Sequence, residues 1–192
     1  MLLQATIELA HTERWALERG ELQAPPEIAS RLRTDAYEVT VVDQFHRIAR
    51  RFFERNGYRA VWERPFPTGL PGHPTSIDIA AFNNATGSEL RIELGVYSRT
   101  KLKTDSIKLA SLTEEALSDY SEVVNMILLW AVRRTKLTRA EASKAMRRFN
   151  EDALRVSGDG YTVSPLLSSS ADLFAAEPSH NRSVTVGLFE VT

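Results

Sequence analysis

Apolar residues recur at three- and four-residue spacing through Val41, Val42, Phe45, Ile48, Ala49, Phe52 and Phe53, the stripe of an amphipathic helix. Thr34 or Asp35 can cap its start, and Asn56–Gly57 stops it. A weaker helical pattern covers residues 3–20 and ends at Gly20, and Pro25–Pro26 mark a connector between Gln23 and Glu27. After the long helix the period changes to that of strands. Tyr58–Phe66 reads as one, closed by a run rich in Pro and Gly up to Pro74. Thr75–Asn83 and Glu89–Tyr97 follow, joined by the turn formers Asn84-Ala85-Thr86-Gly87, and predict a hairpin. Lys101 to about Leu117 is helical, with Leu109, Leu112 and Ala116 on one side, and Glu122–Val132 is a buried strand by its Val, Ile and Leu content. Thr138, with Glu141 three residues on, predicts a capping box for a helix to about Leu154. Tyr161–Leu167 and Ser183–Val191 read as final strands. The pattern predicts a mixed α/β fold, a mixed central sheet flanked by helices, in a single domain over 1–192.

Composition narrows the chemistry. A chain of 192 residues, 43% hydrophobic and 26% charged, buries a full core and is neither disordered nor low-complexity. The absence of cysteine excludes disulfides, thiolate–zinc sites, iron–sulfur clusters and thiol nucleophiles, and fits a reducing, cytoplasmic compartment. The first fourteen residues mix Gln4, Glu8, His11 and Glu13 with apolar ones, unlike a signal peptide. Val123–Val132, the longest apolar stretch, is far shorter than the roughly 20 residues of a membrane span.

The net charge of −1 offers no bulk attraction to nucleic acid, but the charges are segregated. Arg133, Arg134, Lys136, Arg139, Lys144, Arg147 and Arg148 face only Glu141 in their segment. Further clusters are Arg47, Arg50, Arg51 and Arg55, then Arg99, Lys101, Lys103 and Lys108. Two readings stand: a phosphate-binding face, or solvated helix surfaces.

The informative chemistry lies in the hairpin. Asp78 and Glu93 each interrupt an otherwise apolar strand. If Asn83 pairs with Ser88, the register sets Asp78 across from Glu93 on one face, Cβ atoms about 4.5–5.5 Å apart. Like charges so close resist joint ionisation, so a proton, a basic neighbour such as Arg91, or a cation must offset them. Mg²⁺ or Mn²⁺, hard ions that accept one or two carboxylates, fits that need. The alternative is a pair of edge carboxylates facing solvent or neutralised locally. Glu38 shares the apolar stripe of the long helix, either as a third site acid or as a first-turn residue favouring the helix dipole.

With Glu38 on a helix, Pro74-Thr75-Ser76-Ile77-Asp78 on a second strand, Glu93-Leu94-Gly95 on a third, and Thr104 to Leu109 on the next helix, the chain resembles the PD-(D/E)XK nuclease superfamily over about 34–132. The resemblance implies a restriction-endonuclease-like core of helix, three-strand meander, helix and strand, preceded by a helical extension (1–33) and followed by a helix and strands (133–192). It implies Asp78 and Glu93 as ligands of Mg²⁺ or Mn²⁺, with Glu38 completing the site, and hydrolysis of DNA phosphodiester bonds. The chain departs from the motif at Gly95, where the superfamily has lysine. Some members carry that lysine on the following helix, where this chain has Lys101, Lys103 and Lys108. Lys101 and Lys108, seven apart, can face the same way. Arg91 is a further cation but a poor proton acceptor.

Three functions follow: a metal-dependent nuclease on DNA rather than RNA, with Arg133, Arg134, Lys136, Lys144, Arg147 and Arg148 on phosphates; an inactive module of that fold binding nucleic acid or a protein; or an interaction module, a homo-oligomer among its forms, using Trp15. The four histidines show no ligand spacing, and the glycines form no phosphate loop.

Overall fold

The computed structural model describes residues 36–66, 75–114, 120–133, 135–173 and 182–192. The expected helix over 3–20, the Pro25–Pro26 connector, the caps Thr34 and Asp35, and Trp15 lie outside the described residues. The chain divides into two units, Met1–Arg51 and Phe52–Thr192. Helix α1, Ala36–Arg55, crosses that boundary. Its stripe is realised as expected, with Val41, Val42, Phe45, Ala49 and Phe53 all buried. Phe52 departs from the pattern and is 63% exposed. Gly57, at φ 79°, supplies the left-handed residue that ends the helix.

The second unit is built on a six-stranded mixed sheet: β1 (Arg59–Phe66), β2 (Thr75–Asn83), β3 (Ser88–Val96), β4 (Glu122–Arg133), β5 (Val163–Leu173) and β6 (Arg182–Val191). Their order across it is β1-β2-β3-β4-β6-β5. Only β3 and β4 run parallel, because helix α2, Arg99–Glu114, carries the chain across between them. All other neighbours are antiparallel. Helix α3, Arg139–Val156, follows β4 and opens with the expected capping box: Glu141 N–H donates to Thr138 Oγ1, and Thr138 N–H donates back to the Glu141 carboxylate.

One apolar layer joins both helices to the sheet. Leu102, Leu109 and Leu112 of α2 and Phe149, Ala153 and Val156 of α3 pack with Ile127, Leu129, Phe189 and Val191. Tyr97 stacks on Phe149 at 3.8 Å between centroids. Gly187 leaves room for the Phe149 and Phe189 rings, since a Cβ there would stand 2.5 Å from the Phe149 ring.

Several boundaries differ from expectation by a few residues, and two of them have a readable cause. The fifth strand continues six residues past Leu167, because Ser168, Ser169 and Ser170 pair with Gly187, Val186 and Thr185. Serines with weak strand preference are held there by the partner's backbone. Helix α2 begins at Arg99, two residues early, with the Ser98 side chain accepting from Lys101 N–H.

Candidate active site

The β2–β3 hairpin pairs Asn83 with Ser88 and continues in register to Ile79 with Ile92. Its turn is held by Asn83 Oδ1, which accepts from Ala85 N–H at 3.0 Å and Thr86 N–H at 3.2 Å. Gly87 completes it at φ 66°. One step beyond Ile79 the same register reaches Asp78 and Glu93, and there the pairing stops. The β1–β2 ladder skips the same place: Trp62 pairs with Ile79 and Arg64 with Ile77, leaving out Glu63, whose φ of 48° breaks the extended backbone. Asp78 therefore sits where both of its ladders are interrupted. Its Oδ2 accepts from Leu94 N–H at 2.7 Å, which pins the carboxylate against β3.

Glu93 lies on a strand with neighbours on both sides, so it is no edge residue. Its side chain is 3% exposed, and Lys108 Nζ stands 2.7 Å from its Oε1. The contact is a close ion pair whose angle falls short of a directed hydrogen bond. Burial, followed by the charge of Asp78, raises the Glu93 pKa from 4.5 to about 7, and Lys108 opposes them. The protein thus holds two mutually repelling carboxylates with one ammonium beside them.

Helix α2 supplies that ammonium because Lys101, Asp105 and Lys108 share a face at spacings of four and three. Lys101 does not reach the carboxylate pair; its Nζ stands 3.3 Å from Asp105 Oδ2. Asp105 is buried, and burial raises its pKa against the opposing pull of Lys101. The inward face of α2 thus carries Asp105 and Ser106 among its leucines. Asp105 was not legible as a site residue; its one sequence signal is its place between Lys101 and Lys108 on that face.

Arg91 turns away from Glu93. Its Nε donates to Glu89 Oε1 at 3.0 Å, and Arg64 Nη1 donates to the same oxygen at 3.2 Å. All of Glu89 and nearly all of Arg91 are buried, and both guanidiniums lie against Phe66. Glu38 falls on α1, and its side chain lies outside the described residues.

The basic segment is less free than its composition suggests. Arg147 pairs with Glu151 at 3.7 Å and Arg148 with Asp152 at 3.7 Å, both one turn along α3. Lys136 stands 3.7 Å from Asp172. Arg133 and Lys144 are exposed, and Arg134 lies outside the described residues.

A divalent cation is compatible with the pair. Asp78 keeps one oxygen beyond its backbone bond, and Glu93 is a buried carboxylate whose ionisation is resisted by a like charge. Among the described residues no group of three or more His, Cys, Asp or Glu side chains is arranged to hold a metal, so water would complete the shell. No helix among the described residues is long and apolar enough to cross a membrane. No protein-family model, curated protein or solved structure matches the chain.

Proposed function

We propose that the chain is a cytoplasmic, metal-dependent phosphodiesterase with a restriction-endonuclease-like core, acting on nucleic acid, DNA in the first instance. The observation that carries this reading is Lys108 Nζ at 2.7 Å from Glu93 Oε1, which offers a lysine from α2 where Gly95 leaves none on the strand. Asp78 and Glu93 would hold Mg²⁺ or Mn²⁺, and the ion would polarise a phosphoryl oxygen and acidify water. Leu94 N–H orients Asp78. Lys108 offsets the charge of Glu93 and places a cation where negative charge builds on the phosphate. Lys144 and Arg133, both exposed, would meet phosphates, a salt-sensitive contact.

The second reading, an inactive module of this fold that binds nucleic acid or a protein, draws support from Gly95 itself. Titration of Mg²⁺ and Mn²⁺ into the wild type, Asp78→Ala and Glu93→Ala, with cleavage of plasmid DNA followed in parallel, separates the two. Saturable metal binding and cleavage, both lost in the variants, support the phosphodiesterase. DNA binding that ignores metal and both substitutions supports the module.

A further inference from the structure

A cleft of about 460 Å³ opens on the second unit between β1, the hairpin turn and Tyr120. It shares its sheet face with the carboxylates, because Phe82 pairs with Glu89, and Glu93 lies four residues further along the same strand face. That places it about 13 Å from the site along β3.

Its lining combines flat groups with cations. The Arg64 guanidinium lies 4.1 Å above the Phe82 ring, and the Phe82 ring is 5.4 Å from Tyr120, tilted by 32°. Tyr120 Oη donates to Asn84 Oδ1 at 2.7 Å, which ties the ring to a side-chain amide that also lines the cleft. Glu89 holds Arg64 from below. Arg59 is exposed at the rim, and none of the ion pairs among the described residues engages it.

We infer that this cleft binds an unpaired nucleotide, its base stacked on Tyr120 and its phosphate against Arg59. An aromatic ladder accepts any base face, a side-chain amide can meet a base edge, and a free guanidinium suits a phosphate. A paired base inside a duplex cannot present its face, so the cleft selects single-stranded or frayed ends. The inference rests on the phosphodiesterase reading and names the strand form that enzyme would take. A free nucleotide carries the same chemistry, and the test separates the two sources.

The experiment follows quenching of 2-aminopurine in a short single-stranded oligonucleotide, in EDTA so that no cleavage occurs. The wild type quenches, and Asp78→Ala quenches equally. Tyr120→Leu weakens binding between about fivefold and a hundredfold and abolishes the quench. Tyr120→Phe keeps the ring and the quench. Arg59→Ala, at an exposed position, lowers the salt slope by about one. Unlabelled oligonucleotide competing better than dAMP supports the strand; dAMP competing as well or better overturns the strand in favour of a free nucleotide. A wild type that does not quench, or Tyr120→Leu and Arg59→Ala variants that bind like it, overturns the inference. Absence of cleavage in Mg²⁺ with the quench intact would remove the phosphodiesterase and leave the cleft standing.

Discussion

Glu93→Gln probes the site without touching its shape. A carboxyl whose pKa rises from 4.5 to about 7 is harder to ionise by about 3 kcal/mol. With the side chain 3% exposed, water screens little of that cost. The folded state keeps its proton between pH 4.5 and about 7, while the unfolded chain has released it. Stability therefore falls as pH rises through this window and levels off above it. Glutamine is neutral throughout and keeps an oxygen beside Lys108, which at 25% exposure retains contact with water. Urea unfolding of both proteins from about pH 5 to about pH 8 should show the variant gaining up to ~3 kcal/mol on the wild type at the alkaline end. His46, whose pKa burial lowers, is common to both proteins and cancels in the difference. Added Mg²⁺ should recover the alkaline stability of the wild type and leave the variant unchanged. Parallel stability curves for the two proteins would refute the claim that Asp78 and Glu93 form a buried, mutually repelling pair.

Lys108→Met removes the one ammonium that opposes the proton on Glu93, so the wild-type stability window should extend above its former upper limit, and cleavage should be lost. Arg91→Met takes a guanidinium partner from buried Glu89 and should cost about 3–5 kcal/mol in unfolding experiments. Gly187→Ala places a Cβ 2.5 Å from the Phe149 ring and should destabilise the core by about 1–3 kcal/mol. Thr138→Ala breaks the capping box of α3 and should lower stability by about 1 kcal/mol with metal titration unchanged.

Much of the fold is local, and local features were readable. The stripe of α1, the Asn84–Gly87 turn and the Thr138–Glu141 box each depend on residues within a few positions of one another. The Asn83–Ser88 register was legible for the same reason, since a short turn leaves the strands little freedom to slip. The serine extension of β5 was not, because its pairing lies on a strand that begins beyond it in the chain.

By itself the sequence placed two acids on neighbouring strands, opposite one another if Asn83 pairs with Ser88, and a helix rich in lysine after them. Only the tertiary structure decided which cation answers them. Lys108 meets Glu93, Lys101 is taken by Asp105, and Arg91 is taken by Glu89. It also decided that Asp78 leaves both ladders beside Glu63, freeing its carboxylate for Leu94. Helical spacing sets which side chains share a face, but the partner of a buried charge depends on how α2 crosses the sheet, and packing of Leu102, Leu109 and Leu112 into the core sets that crossing.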